Sequence, residues 1–156
     1  MHDLTALTRR HRVKPGPLVH VGSAQGREIP AYYQAGFLDI TVVDSASERV
    51  RALRTRFPGV DIREVTGSEG FRLDATAPRA QTAVVNLPGH ELAVLAFAPW
   101  DSLRLLIVTT SAADNTNGAS SYDLLTEAVT TRGFVEVEQW LRADQDIDVV
   151  FVKPTD

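Results

Sequence analysis

Between residues 18 and 44 the chain carries residue types suited to holding a ribose-bearing ligand. Leu18-Val19-His20-Val21 is a short apolar run, followed by Gly22-Ser23-Ala24-Gln25-Gly26. At a strand end, Gly22 lets the chain turn in a conformation that a Cβ disfavours. Gly26 is placed to open a helix whose first N–H groups lack intrahelical acceptors and so face a ligand. A β-branched run, Ile40 to Val43, ends at Asp44, 22 residues after Gly22. A carboxylate at about that spacing accepts hydrogen bonds from ribose hydroxyls. Ser23, Gln25 and Ser45 complete this cofactor-binding set with Gly22, Gly26 and Asp44. The dinucleotide fingerprint needs a second glycine two residues after the first, to admit a pyrophosphate. Ala24 stands there, so the loop suits an adenosine ligand without a pyrophosphate, as S-adenosylmethionine is. The competing reading is tight strand–helix packing, with Asp44 as a helix cap.

A second set of polar groups follows the strand expected over residues 82–87. Asn86 sits near its end and His90 just beyond it. His90 can serve as a general base, because imidazole titrates near neutral pH; the bland alternative is a surface histidine at a helix N-terminus. Asn86 offers an amide, which can orient a group but cannot act as a carboxylate base. Other reactive-looking residues have structural explanations. Trp100 and Trp140 suit core or edge gaps, and Tyr32 and Tyr33 suit helix–sheet packing. Glu28 suits a helix start. Asp144, Asp146 and Asp148 lack calcium-loop spacing. Ser111, Ser120 and Ser121 lack the strand–turn–helix context of a hydrolase nucleophile.

Taken in order, these segments resemble a known family. Val19-His20-Val21-Gly22-Ser23-Ala24-Gln25-Gly26-Arg27-Glu28, then Tyr32, Gly36-Phe37 and Asp44, resemble the opening of FkbM-like methyltransferases. Arg51, Leu53, Arg56, Phe57 and Pro58 continue the likeness. Asn86-Leu87-Pro88-Gly89-His90-Glu91 and the leucine-rich stretch after it are similar to the family's fourth-strand motif, Asp-hydrophobic-x-Gly-x-Glu. Tyr122 to Phe134 resembles the helix and Gly-Phe turn before the sixth strand. The resemblance implies a class I methyltransferase fold, S-adenosylmethionine as cofactor, and O-methylation of a small metabolite or sugar. Three departures stand out. Asn86 replaces the family's Asp, Thr109 takes the position of a strand-ending Glu, and the segment between Val65 and Thr82 is short. They open two alternatives: a catalytically degenerate relative that binds a ligand or protein partner, and an enzyme using the same pocket for other chemistry.

The elements that must position these residues are readable from periodicity. Helices are expected over residues 3–12, 26–35, from about 45 to 57, in a short piece after Pro88-Gly89, and over 122–131. Strands are expected over 18–21, 40–43, 60–65, 82–87, 103–108, 134–141 and 147–152. Ile29, Tyr32 and Tyr33, then Val50, Leu53 and Phe57, then Leu92, Leu95 and Ala96, then Leu124, Leu125, Ala128 and Val129 are the expected inward faces. Ser45 or Ser47 is the expected cap of the third helix. Residues 66–80 look irregular, and 110–121 read as a polar loop over the substrate side. Strands alternating with helices imply a parallel sheet with right-handed crossovers. The last two strands, joined by the turn Ala143 to Asp146, imply an antiparallel hairpin. The expected fold is therefore α/β, a doubly wound, mostly parallel seven-stranded sheet of Rossmann-like type. It forms one domain over 1–156, with residues 1–14 as an N-terminal helical extension.

Composition sets the outer bounds. The 156 residues include no cysteine and carry a net charge of −4, which excludes disulfides and cysteine-ligated zinc. No long apolar run is present, so a cytoplasmic protein without a membrane partner is expected. The only local basic cluster is Arg9, Arg10, His11, Arg12 and Lys14. It lacks aromatic residues for base stacking and reads as a solvated helix rather than a nucleic-acid site. The expected partners are a small-molecule substrate, no nucleic acid, no metal, and, compatibly, further copies of the chain.

Overall fold

The structure is a computed structural model, which describes residues 3–22, 26–66, 71–111, 120–142 and 145–155. Seven strands form one sheet: β1 (Leu18–Gly22), β2 (Ile40–Asp44), β3 (Asp61–Glu64), β4 (Thr82–Asn86), β5 (Leu105–Ser111), β6 (Val135–Leu141) and β7 (Asp146–Val152). Their order is β3-β2-β1-β4-β5-β7-β6. The first five run parallel, whereas β7 is antiparallel to both β5 and β6. The sheet is therefore mixed, with the expected terminal hairpin at one edge. Strand order reverses between β1 and β4, the place where open α/β sheets leave a crevice at the carboxyl ends.

Six helices accompany the sheet: α1 (Leu4–Arg10), α2 (Glu28–Gln34), α3 (Ser47–Arg56), α4 (Leu73–Thr76), α5 (Glu91–Leu95) and α6 (Ser121–Thr130). Residues of α1, α2 and α3 share one apolar cluster with the strands, including Leu7, Ile29, Tyr32, Val50 and Leu53. Residues of α4, α5 and α6 share a second, including Leu73, Leu95, Leu125 and Val129. Alternate residues of the strands feed the two clusters: in β1, Leu18 joins the first, and Val19 and Val21 join the second. This is the period-2 alternation of a strand buried on both faces.

Several expectations need correction. Leu92 (41 % exposed) and Leu124 (39 %) face solvent, and Tyr33 (39 %) leaves the α2 core face to Ile29 and Tyr32. Ala96 is exposed as well; in α5 the buried residues are Glu91, Val94 and Leu95. Neither Ser45 nor Ser47 caps α3; its N-cap is Ala46, and the Ser47 hydroxyl donates to Glu64. The segment expected to be irregular contains α4, whose Leu73 is fully buried. β5 continues to Ser111, through residues expected to begin a loop. Ser120 forms a reciprocal capping box with Asp123 and starts α6. The rest of that expected loop, 112–119, lies outside the described residues, as do Ala143 and Asp144 of the hairpin turn.

Candidate functional site at the carboxyl ends of β1, β2 and β4

Parallel register brings the sequence-selected groups to one end of the sheet. Gly22 of β1 lies beside Asn86 of β4, and Asp44 ends the neighbouring β2. Gly22 has φ +99°, and a Cβ there would come within 2.1 Å of the Asn86 carbonyl oxygen. The glycine thus lets the two strand ends meet at the reversal point. Gly26, with φ +87°, has a different neighbour. A Cβ there would stand 2.8 Å from the Phe57 ring and 3.3 Å from Leu53, so this glycine seats the start of α2 against α3. The helix itself begins two residues later, at Glu28. Ser23 and Gln25 lie outside the described residues.

Asp44 is 1 % exposed, and its carboxylate is engaged on both oxygens. Oδ1 accepts from the Ala46 backbone N–H at 2.9 Å and from Arg49 Nη2 at 3.1 Å. Oδ2 accepts from Arg49 Nε at 2.7 Å. The first bond is an Asx turn leading into α3; the other two are the paired bonds of a guanidinium fork. Arg49 is held more firmly protonated by its hydrogen bond to Asp44, with burial opposing and the opposite charge adding. A carboxylate has about four acceptor sites; three are used here, so one lone pair of Oδ2 has no donor among the described residues. Arg49 went unforeseen because its spacing from Asp44 belongs to no motif; the pairing exists only once the strand end and the first turn of α3 are folded together.

Beside these strand ends lies a cavity of about 280 Å³, lined by Ser45, Phe71, Leu87, His90, Ala93 and Val94. It combines one aromatic ring, three aliphatic side chains and two polar groups. Such walls suit a flat, partly apolar ring system with polar edges. Ser45 and His90 are exposed, and Asn86 is half-buried. The structure therefore places His90 and Ser45 together on this cavity, with Asn86 at the adjoining strand end.

Two carboxylates that the sequence reading assigned no role lie near the same end of the sheet. Glu91, at the start of α5, is 4 % exposed and accepts a 2.6 Å hydrogen bond from the Thr110 hydroxyl. Asp148 of β7, also 4 % exposed, accepts from the Thr109 hydroxyl at 2.6 Å and from Arg142 at 3.2 Å. Thr109 therefore does not end β5; it pairs across to Asp148 in the middle of the ladder. In β1, His20 Nδ1 and the Tyr32 hydroxyl of α2 share a hydrogen bond at 2.5 Å. Burial lowers the His20 pKa, with Glu28 and Asp44 opposing. Burial, then the Glu28 and Asp148 charges, push the Tyr32 hydroxyl well up.

Among the described residues no group of His, Asp and Glu side chains is placed to hold a metal ion, and no helix is long and apolar enough to cross a membrane. No family model matches the chain, and no curated protein matches it in sequence. Solved structures do match in fold. Magnesium protoporphyrin IX methyltransferase from Synechocystis PCC 6803, with bound S-adenosylmethionine, superposes with a TM-score of 0.67 at 15 % identity, over 97 % of this chain and 76 % of that one. The glycopeptide N-methyltransferase MtfA, with bound S-adenosylhomocysteine, gives 0.63 at 12 % identity, over 96 % and 87 %. An rRNA methylase from Streptococcus thermophilus gives 0.61 at 14 % identity, over 93 % and 92 %. A protein acting on rRNA shares the fold, so the fold gives no support to the expectation that nucleic acid is excluded. With these likenesses and its strand order together, the chain has the class I methyltransferase fold.

Proposed function

We propose that this chain is an S-adenosylmethionine-dependent methyltransferase. One observation carries the reading: the cavity beside Ser45, Leu87 and His90 opens at the strand-order reversal, next to a buried strand-end carboxylate. The residues fit the cofactor in kind. The apolar walls of Phe71 and Leu87 suit adenine, and the spare acceptor site on Asp44 Oδ2 suits a ribose hydroxyl. Gly22, Gly26, Ser23, Gln25 and Ser45 complete the set assigned to hold it. When bound, the cofactor supplies an electrophilic methyl group on a sulfonium. The chain's share is orientation and, where the acceptor is an alcohol, removal of its proton. His90 is the assigned base and Asn86 the orienting group.

The finer reading is FkbM-type O-methylation of a small metabolite or sugar on a doubly wound sheet; the ordered series of motifs from Val19 to Phe134 supports it. The alternative of a degenerate relative rests on Asn86 and Thr109, where the family pattern has acids. Ultraviolet cross-linking with methyl-tritiated S-adenosylmethionine tests the proposal. Label should enter wild type and be displaced by S-adenosylhomocysteine. Leu87→Trp, which fills the cavity, should abolish labelling; equal labelling of the two proteins would reject the site.

A further inference from the structure

The basic residues near the N-terminus do not behave as one solvated face. Arg10 and His11 turn to Glu138 of β6, His11 Nε2 standing 3.0 Å from its carboxylate. Arg12 and Lys14, with His11 beside them, line a concavity of about 760 Å³ together with Gln81, Ser102, Arg104 and Lys153. Gln81 precedes β4, Arg104 precedes β5, Lys153 follows the antiparallel β7, and Arg12 and Lys14 precede β1. The concavity therefore lies at the amino ends of the parallel strands. A five-residue strand is about 16 Å long, so this site is separate from the one at the carboxyl ends. Its rim is stitched by backbone bonds from Arg104 to Gln81 at 2.7 Å and from Lys153 to Arg104 at 2.9 Å.

We propose that this concavity is a binding site for a phosphorylated small molecule carrying at least two phosphate groups. Arg12, Lys14, Arg104 and Lys153 border it with four formal positive charges; none of its described lining residues is acidic, and the nearby Glu138 is taken up by Arg10 and His11. Arg12, Lys14, Arg104 and Lys153 make no ion pair with a described carboxylate. Arg104 uses Nη1 on the carbonyls of Asp101 and Leu103, which fixes the guanidinium and leaves Nε and Nη2 as donors. Lys153 holds its ammonium 5.9 Å from the centre of the Phe134 ring. Arginine forks and lysine point charges are the usual receivers of phosphate oxygens.

Arg12 gives an independent indication. The end of α1 is a Schellman motif, with Val13 N–H on the Thr8 carbonyl at 2.9 Å and Arg12 N–H on the Arg9 carbonyl at 3.3 Å. Its left-handed position ordinarily takes glycine, yet Arg12 occupies it at φ 55°. A large cation at a position that favours glycine breaks a local rule, as residues at working sites do.

Charge decides the size of the ligand. The whole chain carries −4 and this concavity holds four positive side chains, so the remaining residues together carry −8. A long polyanion leaving the concavity meets that field, whereas a compact one does not. No Phe, Tyr or Trp stands among its described lining residues, and the one ring there, His11, is held by Glu138.

Calorimetric titration with inorganic pyrophosphate tests the proposal. Wild type should bind one equivalent saturably, and Asp44→Ala should bind it equally well. Arg12→Gly relieves the left-handed strain, so its Tm should hold or rise while pyrophosphate affinity falls about tenfold or more, the equivalent of one charge-assisted bond. Arg104→Gln combined with Lys153→Gln should lose about a hundredfold. No heat with wild type at millimolar pyrophosphate, or an unchanged affinity in Arg12→Gly, would overturn it. So would tighter binding of citrate than of pyrophosphate, or binding of a 20-nucleotide RNA that pyrophosphate does not displace.

Discussion

Replacing Asp44 by alanine separates two roles that the structure superimposes on one carboxylate. The first role is structural. Losing the Asx bond leaves the Ala46 N–H without its acceptor at the start of α3, a change comparable to losing a helix cap and costing about 0.5–2 kcal/mol. The Arg49 side chain is 36 % exposed, so water replaces much of what the fork loses, and the ion pair adds at most about 1 kcal/mol. The sum is about 0.5–3 kcal/mol. At about 2–4 °C per kcal/mol for a domain of this size, Tm should fall by roughly 1–12 °C. The second role is toward the cofactor. A ribose hydroxyl bonded to a charged acceptor contributes about 1.5–3 kcal/mol, so Asp44→Ala should weaken S-adenosylhomocysteine binding about tenfold to a hundredfold. Asp44→Asn retains one acceptor oxygen and should fall between. Arg49→Gln keeps the carboxylate, frees its acceptor sites, and should cost only about 1 kcal/mol while holding or improving affinity. Differential scanning calorimetry and ligand titration on the four proteins read both roles. If Asp44→Ala lowers Tm with affinity unchanged, Asp44 serves α3 alone and the ribose assignment is wrong.

Other perturbations have equally definite outcomes. Folding keeps His20 neutral below its ordinary pKa of 6.5, so the unfolded chain binds more protons as pH falls beneath that value. Stability contributed by His20 should therefore be present above its ordinary pKa and decline as pH falls below it; denaturant midpoints should show this, with a shallower slope in His20→Phe. Gly22→Ala should destabilise by more than about 2 kcal/mol, since it meets both a positive φ and the Asn86 carbonyl; a midpoint within error of wild type would contradict the close approach. Thr110→Val leaves the buried Glu91 carboxylate without its hydroxyl donor and should cost about 1–3 kcal/mol, measured by urea denaturation; Thr110→Ser should restore most of it.

The sheet was legible because its signals are local. β1, β2 and β4 each show a short apolar stretch closed by Gly22, Asp44 or Asn86, and strand–helix alternation fixes the parallel direction. What escaped was non-local. Thr109, Thr110 and Ser111 fall outside the expected strand because they are polar, yet they extend β5, two of their hydroxyls being satisfied by Asp148 and Glu91 from distant segments. α4 has four residues, too few to show a period, and rests on the burial of Leu73. Leu92 and Leu124 fit the helical spacing but sit at the margins of their faces, where apolar residues are commonly exposed. At the candidate site, Gly22, Asp44, Asn86 and His90 were visible as strand-end punctuation, whereas Arg49 and Phe71 reach it only through folding. The cationic concavity draws on four separate stretches of chain, so only Arg12 and Lys14 were adjacent enough to notice.

We propose that the crevice at the carboxyl ends of β1, β2 and β4 holds S-adenosylmethionine. Isothermal titration of wild type with S-adenosylhomocysteine, beside Leu87→Trp, tests it most directly. Wild type should bind saturably and one to one, and Leu87→Trp should not bind while its thermal unfolding remains cooperative. Absence of binding by wild type at millimolar ligand, or identical isotherms for the two proteins, would contradict it.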